Sequence, residues 1–188
     1  MEFFYPNWIN DFWRIMGLIH FGDKSYFEVH DTSQGPTSIH IHRDVEDAGI
    51  TVKPVKRFDK GRIVQFCREK GIALFDTARK VRRLKDNADD NFLEIVEGTD
   101  VFALLEHLPE CRTIVTTGGK ASEELQSYFD SLGLKVQIPK VGEFVEVNRN
   151  NTSLRWWRMP SSSRAYPMKL EKKADLYSRL FSPLLPSF

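Results

Sequence analysis

Thr113-Ile114-Val115-Thr116-Thr117 is a run of five β-branched residues that ends at Gly118-Gly119, and a helical pattern begins directly behind it. Side chains branched at Cβ suit a pleated strand. Ala121, Leu125 and Phe129 then fall on one helical face, which closes at Gly133. A strand that turns through glycine straight into a helix belongs to an α/β architecture. The same grammar recurs along the chain. From Asp59, residues Ile63, Val64, Phe66 and Cys67 cluster as an amphipathic helix that stops near Gly71. Ile72-Ala73-Leu74-Phe75 follows, ends at Asp76, and is read as a buried parallel strand. Val101, Leu104, Leu105 and Leu108 sit at helical spacing before Pro109. Val136 to Val147 alternates around Pro139 and Gly142, as short strands or a hairpin would. Leu154 to Met159 is a further strand running into Pro160-Ser161-Ser162-Ser163, and a terminal helix is expected from about Met168 to Leu180.

The expected fold is therefore α/β, a three-layer α/β/α sandwich with a mainly parallel central sheet. In such sheets ligands bind beyond the carboxyl ends of the strands. Three strand ends are expected to open on one edge: Asp76-Thr77, Gly118-Gly119-Lys120 and Pro160 to Arg164.

At 188 residues the chain is read as one domain over 1–188, large enough to bury roughly 70% of the surface its unfolded form exposes. Residues 31–56, with Ser33-Gln34-Gly35-Pro36, Gly49 and Pro54, are read as a loop or insertion. Two cysteines, Cys67 and Cys111, are too few for a disulfide framework or an all-cysteine metal site, and the expected compartment is a reducing cytoplasm. Glu2, Asn7, Asn10, Asp11 and Arg14 interrupt the apolar amino-terminal segment, so neither a signal peptide nor a membrane helix is expected there.

Two segments could carry chemistry. Gly118-Gly119-Lys120-Ala121-Ser122 is a glycine turn feeding a helix, where backbone N–H groups and the helix dipole favour an anion such as phosphate. It lacks the GxxxxGK[ST] spacing of a nucleoside-triphosphate loop. An ordinary strand-to-helix turn and a small-molecule phosphate site are its alternatives. The second segment runs from Arg155 to Pro167, where Ser161, Ser162, Ser163 and Arg164 offer hydrogen bonds to a phosphate backbone while prolines restrict the loop. A plain surface loop would explain the serines equally well. Trp156 and Trp157 read as one core and one outer-face residue. His40 and His42 alternate on one strand face, but without a third ligand they read as a polar surface pair, and no metal or cofactor is expected.

Met159-Pro160-Ser161-Ser162-Ser163-Arg164-Ala165 resembles the last motif of the uracil-DNA glycosylase superfamily, closest to its mismatch-specific thymine/uracil branch. Phe4-Tyr5-Pro6-Asn7-Trp8-Ile9-Asn10-Asp11-Phe12-Trp13 resembles the aromatic-x-x-x-x-Asn-x-Phe-Trp segment of that branch and of the hypoxanthine-DNA glycosylases. Gly71 to Asp76 resembles the second strand of these enzymes. Nothing like their first strand, which ends in Gly-x-x-Pro, precedes Phe3, so the sandwich is expected to lack that strand, either because the start falls at an internal methionine or because the strand has been lost.

The resemblance implies a monofunctional DNA glycosylase, a monomer in base excision repair, whose partner is DNA containing a damaged or mismatched base such as uracil or hypoxanthine. Such an enzyme flips the base from the duplex into a pocket and hydrolyses its N-glycosidic bond through an oxocarbenium-like sugar. By motif position Tyr5 is the stacking ring, with Phe12 beside it in the base pocket. Asn10 and Asp76 are the candidates for catalysis. Pro160, Ser161, Ser162, Ser163, Arg164 and Ala165, with Gly118 and Lys120, are the candidates for DNA contact. The structural alternatives are a core Tyr5, an Asn10 that caps the helix beginning with Asp11, and an Asp76 that only makes a turn. A non-catalytic nucleic-acid or nucleotide-binding module of the same fold is the alternative for the whole.

A net charge of +1 argues against a strongly basic coat, but its distribution is uneven. Thr77 to Lys85 holds five basic residues and no acid, Asp86 to Glu110 holds eight acids and no Lys or Arg, and Asn148 to Arg179 holds eight basic residues against Glu171 and Asp175. The expectation is a basic face balanced by an acidic one.

Overall fold

A computed structural model describes residues 4–29, 56–83, 93–149 and 152–181. The 31–55 stretch of the expected loop, with His40 and His42, lies outside the described residues. Contacts divide the chain into two compact units, Met1–Ala73 and Leu74–Phe188.

The first unit holds α1 (Phe12–Phe21) and α2 (Lys60–Lys70). Its core is aromatic: Trp13 and Phe27 are fully buried, and Phe66 meets Phe27 edge-on with ring centroids 5.1 Å apart. Gly17 of α1 is required by close approach, because a Cβ there would stand 2.5 Å from the Asp23 carbonyl oxygen. Glu28 and Phe58 form an antiparallel bridge. Beneath them Arg14 Nε meets Glu28 Oε1 at 2.7 Å, and its guanidinium lies 4.2 Å from the Trp8 ring centroid. The Asp59 side chain accepts from the Arg62 N–H to open α2, and Gly71, with φ 64°, closes it.

The second unit starts with β1 (Ala78–Arg83) and β2 (Leu93–Gly98), paired antiparallel, followed by α3 (Val101–Glu106). Then come β3 (Thr113–Thr117), α4 (Gly119–Ser131), β4 (Glu143–Arg149), β5 (Thr152–Met159) and α5 (Leu170–Phe181). The larger sheet has the order β3-β5-β4. β3 runs parallel to β5 and β4 antiparallel to it, so among the described strands this sheet is mixed where a mainly parallel one was expected. Leu125 and Phe129 of α4 pack on Val147, Leu154 and Trp156, with Val101, Phe102 and Leu105 of α3 completing the core. Trp156 is fully buried and Trp157 half-buried on the opposite face, beside Phe144. The split expected for the two tryptophans thus holds, as strand alternation requires. α5 packs against β5.

Ile72–Phe75 is not the buried strand its composition suggested. Ile72 and Leu74 are half-buried and Phe75 is 61% exposed, and the run joins no ladder among the described residues. An apolar run becomes a buried strand only if neighbouring strands take its N–H and C=O groups; here the run straddles the boundary between the two units. The basic and acidic runs likewise do not separate into two faces in the hairpin. Arg79 meets Glu97 at 3.5 Å and Arg82 meets Glu94 at 3.3 Å across the β1–β2 ladder. Among the described residues no helix is long and apolar enough to cross a membrane.

Candidate functional site

Two of the three expected strand ends come together. Because β3 and β5 are parallel and in register from Thr113 with Arg155 to Thr117 with Met159, they finish side by side. The Gly118 N–H donates to the Met159 carbonyl at 3.0 Å, which joins the glycine turn to the start of the serine loop. Gly118 has φ 89° and ψ 179°, a conformation essentially reserved for glycine. Its turn leads directly into α4, so backbone N–H groups of the first helical turn lie at this edge. Ser161 Cβ lies 3.5 Å from the point a Cβ on Gly118 would occupy. Lys120, on the first turn of α4, pairs with Glu124 at 3.0 Å.

A buried chain of hydroxyls supports the turn from below. Trp156 Nε1–H donates to Thr116 Oγ1 at 3.0 Å, Thr116 Oγ1 meets Ser122 Oγ at 2.9 Å, and the Ser122 hydroxyl donates to the Gly118 carbonyl at 2.9 Å. All three side chains are buried.

The serine loop differs from the picture of three outward hydroxyls. Ser161 Oγ accepts from the Ser163 N–H and Ser163 Oγ from the Ala165 N–H, both at 3.2 Å. These are the local side-chain-to-backbone turns that serine favours. Ser162 is 2% exposed and Pro160 is fully buried. The serines therefore shape the loop first, and Arg164 and Ala165 are its exposed part. Two contacts from α5 hold it. Lys173 Nζ donates to the Ser163 carbonyl at 2.7 Å, and the Tyr177 hydroxyl donates to the Pro160 carbonyl at 2.8 Å. Nothing in the spacing of α5 singled these residues out except that they lie four apart on a face otherwise apolar with Ala174 and Phe181.

Asp76 does not end a strand. It is exposed, precedes β1, and its carbonyl accepts from the Thr99 hydroxyl at 2.7 Å, which ties it to the end of the β1–β2 ladder. The run before it makes no strand, so Asp76 does not stand at a strand's carboxyl end as expected.

Tyr5, Asn10 and Phe12 belong to the first unit. Tyr5 stacks on Phe12 with centroids 4.5 Å apart and planes at 25°. Tyr5 adopts a left-handed φ of 54°, uncommon for a side chain of this size and a local strain of the kind found at functional positions. Asn10 Oδ1 accepts from the Phe12 N–H at 2.9 Å. Its carboxamide therefore starts α1, although the helix begins one residue later than expected, with Asp11 as its cap.

The titratable groups that depart from their ordinary behaviour are structural. The Tyr128 hydroxyl, 2.7 Å from Asp100 Oδ1, and then the Ala103 N–H hold the Asp100 carboxyl below its usual range. That carboxylate caps α3. Burial and the same hydrogen bond push the Tyr128 phenol up. Burial raises the Cys67 thiol, which disfavours the reactive thiolate. Among the described residues no three His, Cys, Asp or Glu side chains gather as a metal site. Comparison with protein-family models, curated proteins and solved structures finds no significant match.

Proposed function

We propose that the chain is a DNA glycosylase of the uracil-DNA glycosylase type, built as a three-layer α/β/α sandwich around the mixed β3-β5-β4 sheet. The observation that carries this reading is the joined edge at the carboxyl ends of β3 and β5. There a glycine-only turn, a helix N-terminus and the Met159 to Ala165 motif are linked through the Gly118 N–H and the Met159 carbonyl. Such an edge suits the phosphates of nucleic acid. Arg164 is its exposed cation on the loop, and Lys120 lies on the first turn of α4.

In this reading Tyr5, stacked on Phe12, offers the ring on which a flipped base rests. Asn10 and Asp76 are the polar side chains that assist hydrolysis, by contacting the departing base or holding water. Loss of the base leaves an oxocarbenium-like sugar, and stabilising the charge on the leaving base lowers the barrier. The same reading has the protein acting on uracil- or hypoxanthine-containing DNA as a monomer in a reducing cytoplasm, without metal or cofactor.

The position of Asp76, outside any strand, favours a second reading: a non-catalytic nucleic-acid-binding module. End-labelled duplexes carrying one uracil or one hypoxanthine, incubated with the chain and then treated with alkali, separate the two. Glycosylase action gives cleavage at the modified position, reduced in Tyr5→Ala and Asn10→Ala. Salt-sensitive binding with an intact strand supports the module. Neither cleavage nor binding overturns both.

A further inference from the structure

Lys173 is an ammonium where a hydrocarbon would fill the space: it is 1% exposed, on the same face of α5 as Tyr177, also 1% exposed. Burying a charge is costly unless it is hydrogen-bonded, so what its ammonium bonds, rather than its volume, distinguishes this side chain. Residues four apart on a helix lie side by side. Here the two reach carbonyls three residues apart in one loop, Lys173 to Ser163 and Tyr177 to Pro160. The ammonium also lies 5.9 Å from the centroid of Tyr166, at the far end of the same loop.

A trans peptide holds its C=O and N–H on opposite sides, and the chain has no cis bond among its described residues. Drawing the Pro160 and Ser163 carbonyls toward α5 therefore turns the N–H groups of the next residues, Ser161 and Arg164, away from that helix. The Ser163 carbonyl also accepts from the Tyr166 N–H at 3.1 Å, and the Ser161 and Ser163 hydroxyl oxygens take the N–H groups of Ser163 and Ala165. The bonds from α5 and those to the serine hydroxyls involve different peptide groups and do not compete.

We propose that Lys173 and Tyr177 are positioning residues for phosphate recognition: from α5 they fix two carbonyls of the Met159 to Ala165 motif inward and so present the Ser161 N–H outward to a DNA phosphate. This inference rests on the nucleic-acid reading of the same edge. Neither residue touches DNA. Their effect is on the direction of a backbone donor and on the freedom lost when the loop binds.

Tyr177→Phe keeps the ring and removes only the hydroxyl, while Lys173→Met keeps the chain length and removes the donor. Hydrogen exchange by mass spectrometry reads the loop, and titration with a fluorescent duplex, well below the melting temperature, reads recognition. The expected result for each variant is faster exchange confined to residues 160–166 and duplex affinity weaker by about fivefold, the loss of one modest hydrogen bond. A role in stability alone would lower the melting temperature and leave the affinity of the folded protein unchanged. Unchanged exchange in Tyr177→Phe, judged folded by circular dichroism, overturns the clamp whatever the chain binds. Faster exchange with unchanged affinity overturns its link to phosphate. A wild-type chain that binds no duplex overturns the reading on which the inference rests, while the exchange result still decides the clamp.

Discussion

Thr116→Val tests the buried hydroxyl chain under the glycine turn. Valine has nearly the shape of threonine and an equal preference for strands, so packing in β3 is conserved. What is lost is the oxygen that accepts from Trp156 Nε1–H at 3.0 Å and meets Ser122 Oγ at 2.9 Å. Ser122 keeps its bond to the Gly118 carbonyl, and the contact from Thr116 to the Trp157 carbonyl, at 3.3 Å, is the weakest of the set. The main cost is therefore the indole N–H of a fully buried tryptophan left without this acceptor. Orphaning such a donor costs about 1–3 kcal/mol. At a typical urea dependence, a loss near 2 kcal/mol lowers the unfolding midpoint by about 1 M. Thr116→Ser keeps the hydroxyl and loses one methyl, worth about 0.8 kcal/mol. Urea unfolding followed by near-ultraviolet circular dichroism compares the two, and exchange of the Trp156 indole proton by NMR reports the bond directly. A valine variant as stable as wild type, or more stable than the serine variant, would refute the assignment of the stabilisation to the hydroxyl.

Other perturbations have equally definite outcomes. Gly118→Ala meets no clash, since Ser161 Cβ is 3.5 Å from the new methyl, but the backbone at φ 89° and ψ 179° resists any side chain. It is expected to cost about 1–3 kcal/mol by urea unfolding and to weaken duplex binding. Glu28→Ala removes the nearer of two carboxylates from Arg14, whose Nε lies 2.7 Å from Glu28 in a largely buried pair while Asp11 stays at 3.6 Å. A loss of about 3 kcal/mol is expected, read from the unfolding of the first unit by tryptophan fluorescence, and a loss below about 1 kcal/mol contradicts it. Burial, followed by the positive charge of Lys70, lowers the His20 pKa in the folded state. The unfolded chain then takes up the proton first, so this contribution is intact above about pH 6.5 and is lost as the pH falls through the lower folded value. Melting at about pH 8 and about pH 5 should show a larger acid penalty for wild type than for His20→Phe. Equal penalties would assign the acid sensitivity to other groups.

The parts of the second unit legible in sequence are those with local causes. The β-branched run Thr113 to Thr117 and its glycine stop lie where expected because strand preference and the positive φ of Gly118 are properties of those residues themselves. Alternation likewise splits the two tryptophans between core and outer face, and the structure shows that Trp156 is the core one. Ile72 to Phe75 was misread because an apolar tetrapeptide carries no information about who pairs with it. The β1–β2 ladder was missed for a related reason: its pairing of Arg79 with Glu97 and Arg82 with Glu94 is a relation between two segments, each of which alone reads as a charge run. The serine motif follows β5 as expected, but Ser161 and Ser163 take N–H groups of their own loop and Ser162 is buried. The residues that hold the loop, Lys173 and Tyr177, lie ten or more positions later, beyond any local pattern.

The central claim is chemical, and release of a free base tests it most directly. Duplex DNA with a single uracil or hypoxanthine is incubated with excess chain, the small molecules are separated, and the free base is quantified by mass spectrometry. The account predicts uracil or hypoxanthine in solution in step with abasic sites in the duplex, and loss of both with Tyr5→Ala. Recovery of all the modified base still attached to DNA, with the chain folded and bound to the duplex, would contradict it.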